Sequence, residues 1–241
     1  MNTNEQLTEA AFAQLGILPI NRLPYAKEIF KIYDIDLLPH ASADTAIGEI
    51  FEWSGRSFRT TNDNIAAVIA EENAVINLMT QLKAISSFEA GVPDFQFSKE
   101  EVISFGFKLP FLFNINFSGE VKNAKSLSVK VLSLKKARLT NSAEPGLTIK
   151  KLLSAYEDNN TRDYKQKIKH NYIAEALFYA DSIQIEFEKE AGVGIDVSFD
   201  VQGVEVTANV DTETKKQYTL KYSGGNKIPF GATLKKGKDL F

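Results

Sequence analysis

The chain has 241 residues, 44% of them apolar, and a net charge of −3, so it can bury a real core and is not a basic nucleic-acid binder. It has no cysteine, which removes disulfides, thiolate nucleophiles and zinc–thiolate sites together. The opening MNTNEQLTEA has neither a charged n-region nor a long apolar h-region, and nowhere do 18 apolar residues run together, so no signal peptide and no membrane-spanning helix is expected.

Asn4–Leu15 places Leu7, Ala11, Phe12 and Leu15 at helical spacing and predicts a short amphipathic helix that stops at Gly16. It has no Lys or Arg for headgroups, so packing on the core is expected ahead of membrane anchoring. Ile17–Pro39, punctuated by Pro19, Pro24 and Pro39, reads as loops with short strands or turns. Thr61–Ser87 reads as the clearest helix, with Ile65, Val68, Ile69, Val75, Ile76, Met79 and Leu82 along one stripe. Gly91-Val92-Pro93 then leads toward the most unusual tract of the chain.

That tract is Ile103–Phe117, ISFGFKLPFLFNINF. Its odd positions are Ile103, Phe105, Phe107, Leu109, Phe111, Phe113, Ile115 and Phe117, and its even positions are mostly small or polar. A period of 2 predicts a strand with one apolar face, spanning roughly 50 Å at about 3.3 Å per residue. Covering such a face is worth on the order of 12–24 kcal/mol before entropy. After a turn at Ser118–Asn123, Leu127, Val129 and Val131 alternate with Ser128 and Lys130 as the returning strand of an antiparallel hairpin.

Further along, Leu147–Tyr156 and Tyr164–Tyr179 read as helices on either side of the loop-like EDNNTRD. From Asp181 the period returns to 2. Ile183, Ile185 and Phe187 alternate first, then Ile195, Val197, Phe199 and Val201, and after a slip at Gly203 Val204 and Val206 continue on even positions. Gln217–Tyr222 reads as a last strand, followed by a basic tail. Helices and strands in mixed order, without βαβ units, argue for an α+β fold and against a parallel sheet.

The sequence gives no support for catalysis. Its two histidines, His40 and His170, have no metal-binding companion at i+4, and phosphate loops, GxGxxG and GxSxG are missing. Asp196 and Asp200 share a strand face, where a solvated polar side is the better reading. Alternating segments of about ten residues separated by turns fit two structures: a half-buried antiparallel sheet in a soluble domain, or the strands of a membrane barrel.

In the order of these parts the chain resembles the gasdermin pore-forming proteins, the short bacterial and fungal ones, including the fungal regulators of cell death, more than the mammalian ones. The resemblance covers most of the chain after about Ile17. It is carried by ILPINRLPY, VISFGFKLPFLFNINF and its return KSLSVKVLSL, the step into YADSIQIEF, GIDVSFDVQGVEVTANV, and the closing YTLKYSGGNKIPFGATL. It implies one pore-forming domain over residues 1–241, with a twisted antiparallel sheet and surrounding helices. Two regions, about Val102–Leu134 and Ser182–Val210, would refold into membrane hairpins and close into a homo-oligomeric ring, or a hetero-oligomeric one with a related chain. The membrane-inserting residues would be the odd positions from Ile103 to Phe117, with Leu127, Val129, Val131, Ile195, Val197, Phe199, Val201, Val204 and Val206. Acidic membrane lipids would be met by Lys130, Lys135, Lys136 and Arg138, with Lys150, Lys151, Lys235, Lys236 and Lys238 as second choices. The protein would be cytoplasmic when inactive and at the plasma membrane when assembled, would need no cofactor or metal, and would cause lytic cell death. Two departures from the family stand out. There is no cysteine for lipidation near the start, and the chain stops just after its last recognisable strand, without the usual inhibitory segment; triggering by a partner of the same family would suit that. The rival expectation is a soluble antiparallel sheet that binds a lipid or a protein through its apolar face.

Overall fold

A computed structural model describes residues 23–39, 41–42, 44–66, 86–89, 92–105, 126–139, 149, 166, 168–188, 204–211, 215–222 and 228–240. Among them, ten strands join one antiparallel sheet. The centre of that sheet is β7 (Tyr172–Glu188). One edge of β7 is paired by β10 (Gly231–Lys236) and further along by β9 (Lys215–Tyr222). The other edge is paired by β2 (Glu49–Trp53) and then by β6 (Ser126–Leu139), whose ladder runs from Arg138↔Ala176 to Ser126↔Glu188. Shorter strands complete the edges. β1 (Asp36–Leu37) pairs β10, β3 (Phe58–Asn64) pairs β2, β4 (Ser86–Glu89) and β5 (Phe95–Phe97) both pair β6, and β8 (Val204–Asp211) pairs β9.

Two helices cover the β6–β7 half. In α1 (Ala26–Tyr33), Ala26, Ile29, Phe30 and Tyr33 recur at i, i+3, i+4 and i+7, which puts them on one face. The helix stops at Asp34, whose left-handed backbone lets its N–H donate to the Phe30 carbonyl. α2 (Lys99–Phe105) adds Val102 and Phe105. These side chains join Phe95, Phe97, Leu127, Val129, Val131, Phe178, Ile183, Ile185 and Phe230 in a first core. Phe30 stands edge-on to Phe95, Phe97 and Phe105 at 5.5, 5.7 and 6.0 Å, a geometry that adds about 0.5–1.5 kcal/mol per ring pair to simple burial. A second core holds Leu38, Ile50, Phe51, Ile65, Ile173, Leu177 and Leu234. There Gly237 is obligatory, because a Cβ would run into the Ile168 carbonyl oxygen.

Several sequence expectations are corrected. Ile103 and Phe105, the start of the alternating tract, lie in α2 and not in a strand, so the first hairpin does not begin at Val102 in this state; residues 106–125 lie outside the described ones. The helix expected over Thr61–Ser87 begins only at Ile65, because Thr61 is in β3 with its hydroxyl donating to the Ile50 carbonyl, and Ser86 and Ser87 are in β4. Tyr164–Tyr179 is helical at Ile168 but is strand from Tyr172. That stretch is buried on both faces, so it reads as an apolar run and not as an alternation. A helix, α1, occupies part of the Ile17–Pro39 stretch expected as loops, and the basic tail LKKGKDLF supplies the last three residues of β10 and then a 3-10 turn, Gly237–Leu240. In the second region β7 and β8 do not pair directly, since β9 lies between them. Of Leu147–Tyr156 only Ile149 is described, as helix, and Asn4–Leu15 lies outside the described residues.

Candidate membrane-interaction site

The β6–β7 ladder brings the described candidates together. On β6, Leu127, Val129 and Val131 point into the first core and are buried. At Ser133 the backbone turns left-handed, with φ 54°, and the buried position moves to the even-numbered Leu134. Across the ladder β7 changes phase at the same rung, from the odd Ile183 and Ile185 to the even Ala180 and Phe178. Because both strands change together, the register between them is kept.

The described basic candidates lie on this ladder and on β10, with Lys238 in the 3-10 turn Gly237–Leu240, and most of them are engaged with the protein itself in this state. Lys130 pairs with Glu186 at 2.9 Å, and Gln184 donates to the same carboxylate oxygen. Lys135 pairs with Asp181. Lys136 stands 5.4 Å from the Phe178 ring centroid, and Lys236 5.8 Å from that of Tyr172. Lys235 reaches Asp34 at 3.5 Å. Arg138 and Lys238 are exposed. Lys136 and Lys235, from strands on either side of β7, flank Glu175. Burial pushes the Glu175 carboxyl up, the two lysines pull it back, and Asp34 adds to the rise.

Val204 and Val206 sit on β8 opposite Tyr222 and Leu220. Phe107, Leu109, Phe111, Phe113, Ile115, Phe117, Ile195, Val197, Phe199, Val201, Lys150 and Lys151 lie outside the described residues. Ile103 is 47% exposed on α2, and Phe105 is partly buried against the first core.

The tip of the β2–β3 hairpin adds an exposed aromatic residue that no periodicity in the sequence marks. Trp53 is 49% exposed there and packs on Phe58 with ring centroids 4.8 Å apart; Phe58 in turn meets Tyr172 at 5.0 Å. Gly55, at φ 84°, and a Ser54 N–H bond to the Ser57 carbonyl close the turn between them. The dipeptide Ser-Gly between aromatic strand residues was the available signal. Among the described residues no three His, Asp or Glu side chains could hold a metal, and no helix is long and apolar enough to cross a membrane.

No protein-family model matches the chain, and no curated protein matches it. Among solved structures it is similar to a bacterial gasdermin from Bradyrhizobium tropiciagri, at a TM-score of 0.44 and 13% identity over 87% of each chain. At that score nothing about function passes from one chain to the other.

Proposed function

We propose that this protein is a gasdermin-type pore former, which assembles in membranes through two long β-hairpins and causes lytic cell death. The observation that carries the proposal is a conflict between pattern and conformation. Ile103–Phe117 alternates as a strand from its first residue, yet Ile103, Ser104 and Phe105 stand in α2, where Ile103 and Ser104 are exposed and Phe105 packs on the first core. Natural sequences are locally consistent with their fold, and exceptions concentrate where function requires a second state. In that second state the tract would pair with β6 as a hairpin. Neighbouring subunits would close the ring, since an open strand edge in lipid costs several kcal/mol per unpaired backbone group.

The same change of state would free the lipid contacts. Lys130, Lys135, Lys136, Lys235 and Lys236 would turn to acidic headgroups as their intramolecular partners let go, and the exposed Arg138 and Lys238 would join them, at about 1 kcal/mol per charge near the surface. Trp53 would join them at the interface. The ring would be built of this chain or of this chain with a relative, and would form at the plasma membrane from a cytoplasmic precursor. Binding of a lipid or protein to an open apolar face is the weaker reading, because Leu127, Val129 and Val131 are buried. The test is dye release from phosphatidylcholine vesicles containing phosphatidylserine, with electron microscopy of the same membranes. Rings accompanied by leakage support the proposal, and binding with neither overturns it.

A further inference from the structure

Glu101 is 5% exposed, and its carboxylate is bonded to the starts of two helices at once. Ser98-Lys99-Glu100-Glu101 is a capping box. The Glu101 N–H donates to Ser98 Oγ at 3.2 Å, and Glu101 Oε2 accepts the Ser98 N–H at 2.9 Å. In an ordinary capping box the second carboxylate oxygen faces water. Here Oε1 accepts the Lys27 N–H of α1 at 3.0 Å, across 74 positions of sequence. α1 needs that contact, because its own N-cap residue, Tyr25, makes no side-chain cap. One buried charge therefore satisfies orphan amides at the start of both helices that cover the first core.

We infer that Glu101 is a clasp that couples α1 and α2 into one cooperative cover, and that its release limits the opening of the alternating tract. Unwinding α2 into a strand destroys the capping box, carries the carboxylate away and leaves the Lys27 amide without its partner. α1 then loosens with α2. Conversely α2 is held for as long as α1 is docked through Ala26, Ile29 and Phe30. Glu101 is a positioning residue in this scheme, and the inference rests on the pore-forming reading above.

The experiment uses the full chain and two readouts: hydrogen exchange of the peptides spanning 25–33 and 98–105 without membrane, and the rate of dye release from phosphatidylserine-containing vesicles. Glu101→Ala is expected to speed exchange in both helices and leakage by about tenfold, as loss of a charge-assisted bond implies. Ser98→Ala, which leaves the Lys27 contact in place, speeds exchange in α2 more than in α1. Glu101→Gln, which keeps one acceptor, falls between wild type and Glu101→Ala and serves as the test variant if the alanine form does not fold. Phe51→Leu, in the second core, serves as a destabilised control, its leakage compared with that of Glu101→Ala at temperatures equally far below the two measured melting temperatures. Faster leakage from Glu101→Ala than from Phe51→Leu, with exchange raised in α1, supports the clasp. Unchanged exchange in α1, or equal leakage from the two variants, overturns it while leaving the pore reading intact. Absence of leakage from every variant and from wild type overturns the pore reading and the clasp with it.

Discussion

The backbone N–H of Ser133 donates to Asp94 Oδ1 at 2.7 Å, and this bond holds the rung where β6 and β7 change phase together. Ser133 is one of three non-glycine residues with positive φ among those described, at 54°. A left-handed conformation costs an ordinary residue about 1 kcal/mol or more, so the loop carboxylate before β5 offsets a local strain in the middle of a long strand.

Asp94→Ala is accordingly expected to lower stability by about 1 kcal/mol, the worth of an exposed charge-assisted bond. Ser133→Gly removes the steric part of the strain and raises stability by about 0.5 kcal/mol. In the Ser133→Gly background Asp94→Ala should cost less. Urea unfolding of the four proteins decides the matter, and strict additivity would show that Asp94 does not support the turn.

The odd positions of the long tract give a second prediction. In a membrane strand, an Arg at mid-bilayer costs about 2–4 kcal/mol, and a ring repeats the cost in every subunit. Phe111→Arg and Phe113→Arg are expected to abolish dye release. A folded variant that leaks at the wild-type rate would show that these positions do not face lipid.

The legible parts of this fold were strands with one buried face. Leu127, Val129 and Val131, and Ile183 and Ile185, alternate in sequence because only one side of β6 and β7 meets the first core there. Legibility failed where both sides are covered. Ile173, Ala174, Ala176, Leu177 and Phe178 are all buried between neighbouring strands, and a run apolar on both faces has no period. It failed again at Thr61, where the hydroxyl bond to the Ile50 carbonyl across the β2–β3 pair keeps the residue in strand ahead of the helical stripe that begins at Ile65. The basic candidates were visible as residues, but their partners were not. Glu186, Asp181 and Asp34 come from elsewhere in the chain, and only the pairing of β6 with β7 and of β1 with β10 places them.

A third prediction concerns pH. Burial first, and then the nearby Asp34, raise the Asp36 carboxyl from its ordinary 3.8 to about 6. The folded chain therefore binds this proton more tightly than the unfolded chain does. Stability should rise as pH falls through about 6 and level off near 4, because the neutral form is the one that the fold favours. Asp36→Asn removes the titration and should stabilise the protein at pH 7.5 by about 1 kcal/mol, a figure reduced because the group keeps partial contact with water. Melting temperatures of both proteins between pH 7.5 and 5 measure the difference. A gap that does not narrow on acidification would remove Asp36 as its source.

The last prediction uses the fact that Trp53 is the only tryptophan in the chain. It is half exposed at the tip of the β2–β3 hairpin, in line with Phe58 and Tyr172; Arg56 is exposed in the turn, and Arg59 is exposed on the other face of the hairpin, opposite Glu52. Tryptophan rings settle at the headgroup level of bilayers, and neighbouring cations favour an anionic leaflet. Its emission should therefore shift to the blue when vesicles containing phosphatidylserine are added, and brominated lipid should quench it. Raising the salt should weaken both effects, since the arginine contribution is screened within a Debye length of about 8–10 Å. Trp53→Ala loses an apolar contact worth about 1.5–2 kcal/mol, so it should need roughly ten to thirty times more lipid for the same leakage. Arg56→Glu with Arg59→Glu should lose the salt dependence and keep the tryptophan available as a reporter. Wild-type emission that stays unshifted while the vesicles leak would place this hairpin away from the membrane.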